Sequence, residues 1–271
     1  MFSEPYLAAV IQMNSQTDIE ANLEQAYSYI GQAAREGAKV VGLPENFSFL
    51  GGLSMRMEQA DAIAEQVPTF LSNTAKEFGA YIMGGSYPVP TGNGKVYNCS
   101  TLYNPEGEQV ATYNKVHLFD VDLGDDESYR ESDYVEAGTP DPIVHKDDQI
   151  GNWGLTVCYD LRFPELYRAL VDGEAEILSI PSAFTYTTGQ DHWRPLLRAR
   201  AIENTCYIFA PAQTGMHGKN RKTWGHAMII DPWGEVIADV GTEPGIAMAE
   251  INPDSLQGFR SKIPSLQHRR M

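Results

Sequence analysis

The chain has 271 residues, of which 42% are hydrophobic and 21% charged, the proportions of an ordinary soluble globular protein. Its length fits a single domain over 1–271 with a sizeable core, so the fold does not require disulfides or a metal for its stability. The formal net charge of −16, without a cluster of Lys and Arg, argues against binding to nucleic acid or to an anionic membrane surface.

The predicted elements of the first half alternate between strands and helices. In chain order they are a strand at 6–13, a helix capped by Thr17 or Asp18 and ended by Gly37, a strand at 39–43, a helix at roughly 68–78, a strand at 80–87, and two strands at 98–104 and 109–115. The turn Pro105-Glu106-Gly107 joins the last two strands into a hairpin. Alternation of this kind favours an α/β fold.

The second half begins with an acidic segment at 119–142, rich in Asp, Gly and Pro, which we interpret as a long loop of the kind that is often functional. The elements after it are a strand at 154–158, a helix at about 164–170, a strand at 176–181, a helix at about 189–204, a strand at 206–212, a hairpin of 226–231 and 235–239, a strand near 246–251 and a short helix. Consecutive hairpins predict mixed sheets.

The cysteines and the N-terminus indicate a cytoplasmic protein. Three widely spaced cysteines without a CxxC pair suggest neither a disulfide framework nor a zinc site. The N-terminus lacks a basic region followed by a long apolar run, and no stretch reaches the roughly 18 apolar residues of a membrane-spanning helix. No phosphate-binding P-loop motif is present, and we expect neither a metal nor a cofactor.

Cys158 is the candidate nucleophile because it stands where a predicted strand meets a helix. The apolar run GLTVC leads to it, and Pro164 lies near the first turn of the helix. A sharp turn there exposes the thiol and directs backbone N–H groups at the atom it attacks, where they can stabilise an oxyanion. The alternative is a buried small hydrophobic residue, which is how we interpret Cys99 and Cys206.

A nucleophile also needs a base and a group that stabilises the oxyanion. Glu45 ends a buried strand in GLPENF, and Lys115 ends another in YNKVHLFD. A charge at such a position is costly unless it is paired, so the two are candidates for those roles. A solvated strand end for Glu45 and an exposed Lys115 are the alternatives, and the residues alone leave them open.

Three segments, LPENF, YNKVHLFD and VCYDLRFPELYR, resemble in this order the catalytic motifs of the nitrilase superfamily of carbon–nitrogen hydrolases. The resemblance extends over nearly the whole chain. It implies a four-layer α-β-β-α sandwich with two mixed sheets and a catalytic triad of Glu45, Lys115 and Cys158. A further glutamate of the family matches Glu131, in YRESDYVEAG, and the Tyr159 backbone N–H would help Lys115 to hold the oxyanion.

Within the superfamily, the segments RFPEL, GHAMIIDPWG and QHRR resemble the deaminated glutathione amidase branch. The ω-amidase branch usually has alanine where Pro164 stands, and true nitrilases usually have tryptophan where Tyr159 stands. The resemblance implies hydrolysis of a small carboxylated amide through a cysteine thioester, by a homodimer or larger homo-oligomer. An ω-amidase acting on a dicarboxylic acid monoamide is the alternative.

Arg162 and Thr188 are the candidates for binding the carboxylates of such a substrate. Arg162 lies four residues beyond Cys158, and a planar guanidinium can bind a carboxylate through two parallel hydrogen bonds. A structural salt bridge to Asp160 or Glu165 is the alternative. Thr188, in TYTTGQ, offers a hydroxyl.

Three other functions are weighed against the amidase. A Cys–His acyl-transfer enzyme would take its base from His117, His192 or His226. A calcium loop has the first, third and twelfth ligands in Asp120, Asp122 and Glu131, but Asp125 stands at the sixth position, where glycine is needed. A catalytically silent binding protein on the same fold is the third, because fold does not imply function.

Overall fold

The computed structural model describes residues 2–124, 128–219 and 221–270. The strands are β1 (Tyr6–Met13), β2 (Ala38–Gly42), β3 (Tyr81–Met83), β4 (Tyr87–Pro90), β5 (Val96–Tyr103), β6 (Gln109–Asn114), β7 (Asp120–Asp122), β8 (Ser128–Arg130), β9 (Val144–His145), β10 (Trp153–Leu155), β11 (Ile177–Ser179), β12 (Tyr207–Ala210), β13 (Ala212–His217), β14 (Arg221–Trp224), β15 (Met228–Ile230), β16 (Val236–Asp239) and β17 (Gly245–Ile251). The α-helices are α1 (Ile19–Arg35), α2 (Leu53–Glu58), α3 (Ala60–Phe78), α4 (Pro164–Asp172), α5 (Tyr186–Asn204) and α6 (Pro253–Lys262), and 3-10 helices cover Glu131–Asp133 and Cys158–Arg162.

The strands form two large mixed sheets and a separate hairpin of β7 and β8. The first sheet has the order β14-β13-β1-β2-β3-β5-β4, with β17 paired to β1 and β6 to β5. The second has the order β16-β15-β12-β11-β10-β9, in which β10, β11 and β12 are parallel and the outer strands are antiparallel to their neighbours. The mixed sheets predicted from the consecutive hairpins are confirmed.

Side chains of β1 alternate between two cores, because successive residues of a strand point to opposite faces. Ala8 and Val10 pack in the core shared with Phe209 of the second sheet. Ala9 and Ile11 pack in the core beneath α1 and α3. Every one of these β1 side chains is fully buried, as expected of a strand with a layer on each side.

The two sheets lie back to back and helices cover both outer faces. At Gly42 of β2 an added Cβ would lie 2.1 Å from the Phe209 ring, so only glycine fits between the sheets there. Helices α4 and α5 pack on the second sheet, with Leu170 and Leu197 in its core. The order of layers is α-β-β-α, the four-layer sandwich that the sequence predicted. Among the described residues, no helix combines the length and the apolar character needed to cross a membrane.

Two predicted elements have the wrong limits. The strand at 80–87 is two strands, because Gly85 between them has a φ of +55° and turns the chain. The helix at 68–78 begins at Ala60, so Pro68 lies inside it. The buried side chains Ile63, Val67 and Leu71 recur every fourth residue along this helix, and their packing outweighs the missing N–H of Pro68.

Two further predictions differ from the structure in the segments that form the candidate site. The loop predicted at 119–142 contains the hairpin of β7 and β8 and the 3-10 helix that holds Glu131. The strand predicted at 154–158 ends at Leu155, and Cys158 opens a 3-10 helix instead. Both segments are short and irregular, so neither has the period-2 pattern that reveals a strand in a sequence.

Candidate active site

Glu45 lies just beyond the end of β2, in a tight turn that Gly85 supports. An added Cβ on Gly85 would lie 2.1 Å from the Pro44 carbonyl oxygen, so the turn needs glycine there. The Glu45 side chain is only 3% exposed. Its Oε2 accepts a hydrogen bond from Ala183 N at 2.8 Å, and its Oε1 accepts one from Asn98 Nδ2 at 2.9 Å. The carboxylate is therefore held in one orientation.

Lys115 follows the last residue of β6 and points into the same buried region. Its backbone N–H donates to Asn98 O at 3.0 Å, and its carbonyl accepts from Gly138 N at 2.9 Å. The ammonium lies 3.3 Å from Glu45 Oε1 and 2.9 Å from Glu131 Oε2, with 2% of the side chain exposed. Lys115 is thus buried between two carboxylates, and its interpretation as an exposed lysine is wrong.

Glu131 joins this group from the 3-10 helix after the β7–β8 hairpin. Its Oε2 accepts from Phe119 N at 2.7 Å as well as from Lys115, and its Oε1 lies 3.3 Å from Asn98 Nδ2. Asn98 therefore contacts both carboxylates, and sequence reasoning missed it. The sequence carried no signal of this contact, because only the structure shows that the amide is buried and therefore needs a partner.

Cys158 occupies a strained backbone position at the start of its 3-10 helix. Its φ of +49° lies in the left-handed region that non-glycine residues rarely adopt, a feature that clusters at functional sites. Its own N–H donates to Pro181 O at 3.0 Å. The Tyr159 N–H, by contrast, makes no hydrogen bond within the described residues. The thiol and the Glu45 carboxylate line the same cleft, the negative charge of Glu45 contributes to raising the pKa of the thiol, and 8% of the residue is exposed.

Asp160 links the turn that contains Cys158 with the chain segment around Lys115. Its fully buried carboxylate accepts from Val157 N at 2.9 Å, from the Tyr113 hydroxyl at 2.7 Å and from His117 N at 3.1 Å. It also lies 2.7 Å from His117 Nδ1. These bonds span the two segments from which the thiol and the ammonium project, and sequence reasoning missed this residue as well.

The charges of the three central groups depend on one another. Burial would raise the pKa of Glu45, but the Lys115 ammonium and the Arg221 guanidinium outweigh it and hold that pKa below its usual value. Burial would lower the pKa of Lys115, but the two glutamates raise it. Burial and the Glu45 carboxylate raise the pKa of the Cys158 thiol. The resting site therefore contains a carboxylate, an ammonium and a neutral thiol.

A cleft with about 530 Å³ of free space, part of it open to solvent, leads to these groups. Glu45, Lys115, Glu131 and Cys158 all line it. A thiol with a carboxylate beside it and two N–H donor groups, the Lys115 ammonium and the Tyr159 amide, is equipped for attack on a carbonyl.

The two predicted substrate-binding side chains lie in different places. Thr188 lines the cleft, with its hydroxyl 2.8 Å from that of Thr185. Arg162 packs over the rings of Tyr159 and Phe184, its guanidinium carbon 5.9 Å and 5.2 Å from their centroids, and is not among the lining residues. Neither Asp160 nor Glu165 pairs with it in the described part of the chain. A role for Arg162 in carboxylate binding stays a prediction that requires its side chain to leave this stack.

The alternative chemistries find little support in the geometry. Of the histidines, all of which lie in described residues, none lines the cleft. His117 is stacked on Phe163 at 3.7 Å and bonded to Asp160, which leaves Glu45 as the candidate base in the cleft. Glu131 of the rejected calcium loop binds Lys115, and Asp125 lies outside the described residues. Within the described ranges, no group of three or more acidic, histidine or cysteine side chains is placed to hold a metal ion.

Comparison with known proteins agrees with the fold and with the order of the motifs. The profile of the family described as "Carbon-nitrogen hydrolase" matches residues 7–261. A deaminated glutathione amidase from Synechocystis sp. strain PCC 6803 is 53% identical over 268 residues, covering 98% of both chains. A deaminated glutathione amidase from Bos taurus is 40% identical over 279 residues, covering 99% of this chain and 83% of the relative.

Solved structures show the same architecture. The C. elegans NitFhit protein superimposes with a TM-score of 0.93 at 37% identity, over 100% of this chain and 66% of that one. Saccharomyces cerevisiae Nit3, described as a member of branch 10 of the nitrilase superfamily, has a TM-score of 0.88 at 30% identity, over 100% of this chain and 98% of that one. The chain belongs to the carbon–nitrogen hydrolase family, within the nitrilase superfamily.

Proposed function

We propose that this hydrolase cleaves deaminated glutathione, glutathione whose glutamyl amine has become a keto group, into 2-oxoglutarate and cysteinylglycine. The relatives that bear the name of this activity, at up to 53% identity over 98% of the chain, support the choice of substrate. The observation that carries the chemistry is the convergence of Glu45, Lys115 and Cys158, from three separate segments, on the floor of one cleft.

In the first half of the reaction the enzyme is acylated. The Cys158 sulfur attacks the amide carbonyl carbon while its proton passes to the Glu45 carboxylate. The carbonyl oxygen becomes an oxyanion, which the Lys115 ammonium and the Tyr159 N–H stabilise. Glu45 then gives the proton to the amide nitrogen, the C–N bond breaks, and cysteinylglycine leaves behind a thioester on Cys158.

In the second half water hydrolyses the thioester. Glu45 takes a proton from the water as it attacks the thioester carbonyl, and the same two donors hold the second oxyanion. Collapse of this intermediate releases 2-oxoglutarate and the Cys158 sulfur, which recovers its proton from Glu45. We assign Glu131 to orienting Lys115, since its carboxylate is the nearer of the two that hold the ammonium. Thr188, which lines the cleft, is assigned to the substrate.

We also infer a cytoplasmic homodimer or larger homo-oligomer built from one domain per chain. All three cysteines are unpaired thiols, in keeping with a reducing compartment. The large apolar side chains Ile202, Trp233 and Ile263 are each about half exposed around one surface groove, and exposed apolar patches mark interaction surfaces. Light scattering tests this: Trp233→Asp should lower the mass, and a monomeric parent would contradict it.

A paired kinetic assay of deaminated glutathione and 2-oxoglutaramate tests the substrate. We expect a clear preference for deaminated glutathione in kcat/KM, and loss of all turnover in Cys158→Ala. Cys206→Ala serves as the matched control, since Cys206 is a buried core residue remote from the cleft lining, and should retain activity. A preference for 2-oxoglutaramate would make the protein an ω-amidase, and an active Cys158→Ala enzyme would exclude the thioester.

A further inference from the structure

Two arginine side chains line the cleft without a carboxylate partner. Arg56, on α2, is only 4% exposed, and its Nη1 donates to Asn46 Oδ1 at 2.7 Å. Arg221 begins β14; its Nη2 lies 3.5 Å from Ala183 O, and its buried Nε has no hydrogen-bond partner among the described residues. Neither guanidinium forms an ion pair with a carboxylate in the described part of the chain.

An unpaired buried cation is unusual, because burial of a charge is costly unless a counter-charge compensates for it. The neighbouring carboxylates Glu45 and Glu131 both hold Lys115, and they act on Arg56 only at longer range. Burial lowers the pKa of the Arg56 guanidinium, as expected of a charge without a close counter-ion. This occurs in a chain with 36 acidic side chains, so partners of the right sign are abundant elsewhere.

The charges that line the cleft leave a positive surplus. Three cations, on Lys115, Arg56 and Arg221, face two carboxylates, on Glu45 and Glu131, and the difference of three and two is one positive charge. The Cys158 thiol is neutral at rest. The cleft is therefore locally positive inside a protein of net charge −16, which favours entry of an anion over a neutral amide.

We propose that Arg56 and Arg221 together form a carboxylate-binding site that selects amides carrying an anionic group. This rests on the proposed function, since the carboxylate is taken to be part of the amide whose carbonyl meets Cys158. A guanidinium presents its N–H donors in a planar fork that matches a carboxylate, and both side chains line the same cleft. A bound carboxylate supplies the counter-charge that the folded chain does not provide.

Neither Arg56 nor Arg221 was predicted from the sequence as a binding residue. Arg56 stands in GLSMRME and Arg221 beside a run of polar residues, and neither belongs to the three catalytic motifs. Arg162, the arginine favoured by its distance of four residues from Cys158, instead packs outside the cleft on Phe184. Deaminated glutathione has two carboxylates, one on its 2-oxo acid end and one on its glycine end, and both have the chemistry that these arginines recognise.

Calorimetric binding to the inactive Cys158→Ala protein tests the proposal without turnover. The ligands are deaminated glutathione and two analogues, one with the glycine carboxylate converted to a primary amide and one with the 2-oxo acid carboxylate so converted. The variants are Arg56→Met and Arg221→Met, which keep an unbranched apolar stem and remove the guanidinium and its charge. Arg56→Lys and Arg221→Lys restore the charge without the fork. Arg35→Met, at an exposed position ending α1, is the matched control.

We expect each Met substitution to weaken binding of deaminated glutathione about tenfold to a hundredfold, the effect of losing hydrogen bonds to a charged group. The Lys variants should recover part of the loss, and Arg35→Met should bind like the parent. For one of the two analogues the substitutions should have no effect, and that analogue identifies the carboxylate in the site. Circular dichroism and thermal unfolding verify that the variants are folded.

Unchanged affinity in both folded Met variants would overturn the proposal, as would an equal loss for both analogues, which indicates general damage to the cleft. A parent protein that binds none of the ligands would overturn it too. A wild-type enzyme that binds deaminated glutathione through these arginines but never hydrolyses it refutes the proposed reaction and leaves the arginine site standing. If both Met variants hydrolyse deaminated glutathione like the parent, the arginine site is refuted and the proposed reaction stands.

Discussion

Asn98 donates its side-chain N–H to Glu45 Oε1 at 2.9 Å, and the same nitrogen lies 3.3 Å from Glu131 Oε1. One amide therefore sets the distance between the two carboxylates that hold Lys115. The side-chain carbonyl oxygen of Asn98, Oδ1, in contrast, has no hydrogen-bond partner among the described residues. The amide is oriented by its donors alone, which makes it a positioning residue of the candidate site.

The substitution Asn98→Asp should therefore impair catalysis without changing side-chain size. It replaces a donor by a third carboxylate, which repels Glu45 and raises the pKa of that base. We expect kcat to fall about tenfold to a hundredfold, the effect of one hydrogen bond to a charged group. The acid limb of the kcat profile should also move to higher pH, since Glu45 then becomes protonated earlier.

Asn104→Asp is the matched control, because Asn104 lies in the turn after β5 and its amide also contacts a glutamate, Glu108, at 2.9 Å. That variant should keep the kcat and the pH profile of the parent. An Asn98→Asp enzyme with reduced kcat but an unshifted acid limb would show that Asn98 acts only through the fold.

Lys115→Met removes the ammonium while filling most of its volume. Loss of one oxyanion donor costs about 2.7–4 kcal/mol of transition-state stabilisation, so kcat should fall about a hundredfold to a thousandfold. Near-parental kcat in a folded Lys115→Met protein would remove Lys115 from the mechanism.

The same variant should reverse the pH dependence of stability that Glu45 contributes. In the parent the lowered pKa of Glu45 gives stability that is lost as the pH falls through that pKa. Without Lys115, we expect burial to outweigh the remaining Arg221 guanidinium and to raise the pKa of Glu45, so that the free energy of unfolding increases as the pH falls. Urea unfolding at several pH values measures this. The double variant Lys115→Met with Glu131→Gln carries one carboxylate fewer and should show a smaller increase.

The sequence predicts the parts of the fold that hydrophobic patterning determines. Strand β1 was predicted with its observed limits, because an unbroken apolar run is what burial on both faces requires. The hairpin of β13 and β14 was missed. Its buried residues Gln213, Thr214, His217 and Thr223 are polar. The first three form hydrogen bonds to distant segments and Thr223 forms one to His217, and no periodicity reveals these bonds.

The residues of the candidate site likewise fall into those that the sequence could reveal and those that it could not. Glu45, Lys115 and Cys158 stand at the ends of predicted strands, so their segments could be recognised before any contact was known. Arg56 and Arg221 could not be recognised, because what distinguishes them is the absence of a carboxylate partner among the described residues, and that is visible only after the chain has folded. Their roles stay predictions until the substitutions described here are measured.

Gly85→Ala tests whether the turn around Glu45 needs a residue without a Cβ at this position. A Cβ there would meet the Pro44 carbonyl oxygen at 2.1 Å, in addition to the cost of a φ of +55°. Gly79, which ends α3, has a φ of +59° with no atom within 4 Å of an added Cβ, so Gly79→Ala is a matched control for the backbone cost alone.

We expect Gly79→Ala to lower the free energy of unfolding by about 1 kcal/mol and to leave kcat unchanged. Gly85→Ala should cost more, and kcat should fall because the collision displaces Pro44 and, with it, the adjacent base. Urea unfolding and steady-state kinetics on the two variants measure both effects. Equal stability losses with equal kcat values would mean that the turn tolerates a side chain.

His217 predicts a pH dependence of stability that is separate from the candidate site. It is 4% exposed, with Nδ1 2.7 Å from Ser15 O and Nε2 2.7 Å from Thr223 Oγ1. Burial lowers the pKa of its imidazole to about 4 in the folded protein, against about 6.5 in an unfolded chain. Between these values the unfolded chain binds more protons, so folding stability is present above pH 6.5 and is lost as the pH falls toward 4.

The two pKa values predict a loss of about 3 kcal/mol across that window, measured as the free energy of unfolding in urea at pH 7 and pH 4. His217→Gln should be less stable at pH 7 but should lack most of this loss, since glutamine has no proton to bind. His268→Gln, at an exposed position near the C-terminus, should keep the slope of the parent. A parental slope in His217→Gln would assign the acid sensitivity to other groups, because Glu45, with its lowered pKa, loses its contribution only at lower pH.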